Sequence, residues 1–207
     1  MKKKVMLFAL LLLTVSAFST GNKEEWVSVG GEISRATENS TIYGTDVKTT
    51  LNSFGSFFKS YDFAPNENTG IFSHNSFLLP TGGEIESMGT SLDYSYSDTD
   101  FKSLLGMMLG PAYKKNISNT SNVYLGLGPS VQMLTTTENS DCMMSLMFGL
   151  GVDVGVNICA TDKFFMNLGV LVDHSFLCYT NLNGTGDWDA DYSLTSIRPY
   201  VGAGLVL

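Results

Sequence analysis

Residues 145–158 read SLMFGLGVDVGVNI, and they alternate. Leu146, Phe148, Leu150, Val152, Val154, Val156 and Ile158 fall on one face, and Ser145, Gly149, Gly151, Asp153, Gly155 and Asn157 on the other, with Met147 alone breaking the small-or-polar pattern. Successive side chains of a strand point to opposite faces. Seven apolar positions at period two exceed what a half-buried strand of a small soluble domain uses, but they suit a strand that crosses a bilayer with one face in lipid.

The same pattern recurs around it. Val123, Leu125, Leu127, Pro129, Val131 and Met133 oppose Tyr124, Gly126, Gly128, Ser130 and Gln132; Phe164, Met166, Leu168, Val170 and Val172 oppose Phe165, Asn167, Gly169, Leu171 and Asp173. A soluble lipocalin-type barrel has the same strand count, but its outer face is mostly polar. Here the second faces carry too little charge for a water-exposed surface, and their glycines suit a cramped interior. Eight strands leave a lumen that side chains just fill.

At the chain start, basic Met1 to Lys4, the apolar run Val5 to Phe18 and small residues at 17–19 predict a secretory signal over 1–19, cleaved near Ser19 to Thr20 or after Ala17. That run is too short to span a membrane as a helix, and no later one approaches helix-spanning length. After Lys2, Lys3 and Lys4 leave with the signal, nine basic residues face 20 acidic ones, a net of −11. Such a chain has no electrostatic route to nucleic acid.

Alternation between turn signals predicts strands near 25–36, 49–63, 69–80, 100–115, 122–135, 143–159, 163–178 and 194–207. The connections at 64–68, 116–121 and 160–162 are short; those at 37–48, 81–99 and 179–193 are long and that at 136–142 is intermediate. Short turns therefore share one end, as in an antiparallel up-and-down transmembrane β-barrel. Over residues 20–207 the chain resembles the small eight-stranded outer-membrane β-barrel proteins of the OmpA, OmpX and OmpW-like kind. The resemblance implies short turns in the periplasm, long loops outside, a monomer, contacts with outer-membrane lipids and their phosphates, and insertion by the barrel assembly machinery. It implies no cofactor. Relatives usually end in an aromatic residue, whereas this last strand alternates through Ile197, Pro199, Val201, Ala203 and Leu205 to Leu207. Aromatic girdles are expected at the strand ends, from Trp26, Tyr61, Phe63, Tyr113, Tyr124 and Phe164 on the short-turn side and Tyr94, Tyr96, Phe101, Phe176, Tyr179 and Tyr192 on the other.

Parity places ionisable residues inside. Glu32, Arg198 and Asp173 are expected to meet in the lumen, with Asp153 about two rungs below, Lys102 and Lys114 on the facing wall, and Gln132 in the same interior. Charges in so narrow a space must find partners, so the structural reading is a hydrogen-bonded plug. The competing one is a gate, as proposed for related barrels.

Other clusters carry less. His74, Asn75 and Ser76 give H-x-S with Glu84 and Glu86 following, a faint likeness to barrel lipases that modify lipid A, but the wider motif is absent and an interfacial histidine is the plainer reading. Asp173, His174 and Ser175 alternate faces, so the first two form no dyad. Asp187, Asp189 and Asp191 open like a calcium loop, yet Tyr192 and Arg198 occupy its glycine and terminal glutamate positions. Neither a metal site nor a catalytic residue is expected. Cys142 and Cys178 approach at the loop end and could pair after a register shift of about two residues, leaving Cys159 as a thiol. The expected role is structural and surface-interacting, through loops 81–99 and 179–193 meeting host or extracellular ligands; the alternative is a narrow channel for small hydrophobic or polar solutes.

Overall fold

The computed structural model describes residues 24–42, 45–63, 68–95, 101–138, 141–182, 185–189 and 193–207. The signal segment expected at 1–19 lies outside them.

Ten strands form one antiparallel sheet: β1 (Glu24–Ile42), β2 (Thr45–Phe63), β3 (Thr69–Ser87), β4 (Thr90–Ser95), β5 (Phe101–Ser118), β6 (Ser121–Glu138), β7 (Asp141–Cys159), β8 (Phe164–Leu182), β9 (Thr185–Asp189) and β10 (Leu194–Val206). Eight of them close a ring in the order β1-β2-β3-β5-β6-β7-β8-β10, and β10 returns to β1 from Trp26↔Val206 to Glu38↔Leu194. The remaining two, β4 and β9, pair only with β3 and β8 above the ring. Closure leaves the staves without a free edge.

At 145–158 the alternation is borne out: Leu150, Val152, Val154 and Ile158 are exposed, while Gly149, Gly151, Asp153, Gly155 and Asn157 are buried. Val29, Ile33, Phe54, Ile71, Phe77, Leu127, Leu168, Ile197 and Val201 continue an exposed apolar belt around the wall. A belt of that composition is the surface a bilayer requires, and the polar residues are inside it.

The long connections differ from their expected form. Residues 37–48 pair through Ile42↔Thr45, 81–99 contain the β3–β4 hairpin, and 179–193 contain the β8–β9 hairpin. A membrane-crossing strand needs about 9–11 residues. At 19 residues, β1, β2, β3, β7 and β8 outrun that length, and the excess continues as paired ribbon because the ladder satisfies its own backbone groups. Met88 and Gly89, both at positive φ (52° and 74°), make the tight β3–β4 turn whose twist matches its strands.

The girdle expectation fails at the short-turn end. Tyr113 and Phe164 do face outward, but Trp26, Tyr61, Phe63 and Tyr124 are buried in the lumen. Trp26 shares its face with Ser28 and Glu32, so strand parity carries it inward with them. The lumen is filled in layers. Trp26, Tyr61, Phe63, Phe72, Tyr124 and Phe165 fill the short-turn end with Phe57, Met108 and Tyr200 above them; Ala36, Leu78, Leu104, Met147, Cys178 and Leu194 form a second apolar layer toward the hairpins. Between the two lies the charge.

Candidate functional site: the charged layer of the lumen

The lower part of this layer centres on Lys59 and Asp153, both wholly buried and 3.2 Å apart. Lys59 Nζ donates to the hydroxyls of Tyr124 (2.8 Å) and Tyr200 (2.5 Å), and Tyr61 and Tyr200 donate to the Asp153 carboxylate. The ammonium also faces the Tyr200 and Tyr124 rings, 4.0 and 4.4 Å from their centroids, where a ring's negative face attracts a cation. The upper part centres on Arg198. Its Nη2 donates to Asp173 Oδ2, its Nη1 to Ser76 Oγ at 3.1 Å, and its Nε faces Glu32 Oε1 at 3.6 Å. Gln132 donates to Asp173 Oδ1, and Ser196 shares Oδ2 with the arginine.

His74 joins the two parts. Its Nδ1 lies 3.3 Å from Asp153 Oδ2 and its Nε2 3.2 Å from Glu32 Oε2, which also accepts from Ser76 at 2.9 Å. A neutral imidazole has one N–H, so its other nitrogen would set a lone pair against a carboxylate. With a proton on each ring nitrogen, both contacts are hydrogen bonds to ionised carboxylates. In that state His74, Lys59 and Arg198 balance Glu32, Asp153 and Asp173. A balanced, hydrogen-bonded set is what charges removed from water require.

Of the residues anticipated here, Glu32, Arg198, Asp173 and Gln132 lie together, with Asp153 linked through His74. Lys114 is not in the layer: it donates to Glu24 at 2.5 Å near the short-turn end, over the Phe63 and Trp26 rings. Lys102 lies opposite Thr136, two positions beyond Leu104 toward the hairpins and so across the upper apolar layer. Strand tilt moves residues of equal count to different heights, which displaces both lysines from the wall expected of them. The Cys142–Cys178 bridge is not formed. Cys178 faces Met147, five positions from Cys142, and all three cysteines are thiols. The ladder itself is out of register for a bridge: continued from Gly149↔Ser175 it would set Cys142 opposite residue 182, and the bulge at Phe176, skipped between Phe148↔Leu177 and Gly149↔Ser175, moves it one residue further away.

No known family profile and no curated protein sequence matches the chain. Solved structures do. Neisserial surface protein A superposes with a TM-score of 0.56 at 14% identity, over 88% of this chain and 97% of its own. The outer membrane protein OprG from Pseudomonas aeruginosa gives 0.60 at 13%, over 89% and 96%. The chain folds as a small outer-membrane β-barrel. A third structure of that kind, Ail, the attachment invasion locus protein of Yersinia pestis, gives 0.51 at 15% identity, over 90% of this chain and all of its own.

Four members of this barrel's charged layer escaped the sequence reading. Lys59 sits in FFKSYDF, where Phe57 points inward and Phe58 outward, so alternation alone does not say which face is which. A usable signal was its parity with Tyr61 and Phe63. Tyr124 was read as a girdle ring and Tyr200 was not singled out, though their hydroxyls are what reach the charge. His74 was placed at the interface and is instead 1% exposed at the centre of the lumen. With Ser76 it converges on Glu32, both reaching the same carboxylate oxygen, Oε2.

Proposed function

We propose that this protein is a closed barrel of the bacterial outer membrane, short turns toward the periplasm, whose task lies on its external hairpins. The observation that carries the reading is a contrast between inside and outside. The lumen is occupied from the aromatic layer through the paired charges to the Leu78–Leu104 layer, whereas the hairpins expose apolar side chains beyond the lipid belt: Met88 (84%), Leu92 (67%) and Trp188 (56%). Exposed apolar groups among polar ones mark interaction surfaces. Trp188 packs beside Tyr179 and Phe148, with centroids 5.1 and 6.0 Å away, which holds it in place on the outer wall.

Charge narrows the partner. Segment 81–99 holds Glu84, Glu86, Asp93 and Asp98, segment 179–193 holds Asp187, Asp189 and Asp191, and neither contains a lysine or arginine. Ail has been solved with the heparin analogue sucrose octasulfate, a polyanion that these hairpins would repel. A basic protein surface offering apolar contacts is the complementary partner here. Cells displaying the barrel should bind a basic amphipathic peptide, and neutralising Glu84, Glu86, Asp187 and Asp189 together should abolish it. In planar bilayers the purified protein should give no reproducible conductance. A steady conductance altered by Arg198→Ala would overturn this reading in favour of a narrow channel.

A further inference from the structure

The outer wall carries a recess. On β1, β2 and β10 a groove of about 490 Å3 is lined by Gly31, Ile33, Phe54, Gly55, Pro199 and Val201. Gly31 creates it: this residue faces outward between the projecting Val29 and Ile33, and a Cβ built there meets only the Gly55 carbonyl oxygen, at 3.9 Å. The wall is therefore one side chain short at a point surrounded by apolar groups.

Arg35 stands above the groove. It lies on the same face of β1 as Gly31 and Ile33, two positions nearer the hairpins, exposed, between Asn52 of β2 and Ile197 of β10. Among the described residues its guanidinium has no ion pair or hydrogen bond. The wall changes character at this level. Ile197 and Val172 share the Arg35 rung and Ile33 and Phe54 lie below; the next outward rung is Thr37, Thr195 and His174, whose Nδ1 meets the Thr195 hydroxyl at 3.0 Å. An uncompensated guanidinium at the apolar-to-polar edge of an acidic protein is a phosphate-binding group at headgroup height.

We propose that the groove and Arg35 together form a lipid site: an acyl chain lies along Gly31, and the lipid's phosphate sits on Arg35 with the Thr37 and Thr195 hydroxyls beside it. From Gly31 to Arg35 is four residues, roughly 13 Å of strand, enough for much of an acyl chain. The inference rests on the reading that the hairpin end is outside, which makes the occupant lipid A, the phosphorylated lipid of the outer leaflet. A second copy of the chain fits less well, because a symmetric dimer about the membrane normal would bring the two Arg35 side chains to equal height against each other.

Native mass spectrometry of the full chain purified in detergent, with lipid A or phosphatidylcholine added, tests the site. Wild-type protein should retain one lipid A and no phosphatidylcholine. Arg35→Gln should cut retention at least tenfold, and dephosphorylated lipid A should bind as weakly to wild type as intact lipid A binds to that variant. Gly31→Leu, whose Cβ would have ordinary contact with the Gly55 carbonyl oxygen alone, occupies the groove and should also lose the lipid; a heat-dependent shift in gel migration confirms that each variant is folded. Lys48→Gln, which removes an exposed cation already paired with Glu86, should bind as wild type does. Equal retention by wild type, Arg35→Gln and Gly31→Leu overturns the site, as does an equal loss in Lys48→Gln. Phosphatidylglycerol held as tightly as lipid A overturns the choice of lipid. Outer-membrane fractionation reads the underlying orientation and class separately, so a barrel that fractionates correctly yet retains no lipid A counts against this inference alone.

Discussion

The two apolar layers that enclose the buried charge are built differently. The lower one is aromatic, and three of its members reach upward: Tyr61, Tyr124 and Tyr200 place hydroxyls on Lys59 or Asp153. The upper one is aliphatic, with Ala36, Leu78, Leu104, Met147, Cys178 and Leu194, and it covers Arg198 and Asp173 without such phenol contacts. Below, one side chain both fills space and satisfies a charge; above, filling falls to the aliphatic layer and satisfaction to Gln132, Ser76 and Ser196. Removing a group from the lower layer therefore costs hydrogen bonds as well as volume, and removing one from the upper layer costs volume alone.

Substitutions sharpen that contrast. The largest effect is expected from Asp153→Leu, which strands the buried Lys59 without its carboxylate and should cost about 3–5 kcal/mol. Urea unfolding followed by tryptophan fluorescence measures it, and adding Lys59→Met should restore most of the loss; a double variant as unstable as the single would break the argument. Leu104→Ala in the upper layer should cost about 3 kcal/mol by cavity formation, with no rescue from any change to the charges. Tyr124→Phe keeps the ring and loses the hydroxyl, so about 1–2 kcal/mol is expected, and a neutral outcome would mean that the lower layer is only filler. The smallest effect belongs to Glu38, at the hairpin mouth above the belt. Burial and then the nearby Asp189 push its carboxyl up. Its folded form thus holds a proton more tightly than the unfolded chain, and stability falls as pH rises from the ordinary glutamate range through the raised value. Glu38→Gln should flatten that decline in unfolding measurements between pH 4 and 8, within a few tenths of a kcal/mol, as is usual for a surface change.

How far the sequence carried the reading depended on how strongly one face was marked. β7 was legible to its last residue because its two faces differ in size and polarity at nearly every position. The Glu32, Arg198 and Asp173 group followed from parity plus counting from the short turns. β2 was not legible in the same way: Phe54, Phe57 and Phe58 put bulky groups on both faces, so Lys59 had no assigned side until the register with β1 fixed it. The buried aromatics were misplaced because aromatic residues near strand ends suit both a girdle and a plug, and only parity separates them. The heights of Lys102 and Lys114, and the Phe176 bulge, depend on stagger and on one skipped residue, neither of which a single strand's composition encodes.

The contacts of the charged layer join residues very far apart along the chain. Lys59 meets Tyr200 across 141 positions, Arg198 meets Ser76 across 122, and Lys59 meets Asp153 across 94. While the wall is an open sheet, these groups face water and have no partners. Ordering them must wait until β10 finds β1, and the entropy of closing such long loops is spent before any of the pairs forms. The charged layer therefore acts as a timer on assembly: a barrel missing its last stave has no reason to dry its interior, and closing the seam is the event that turns a wet trough into a solid post.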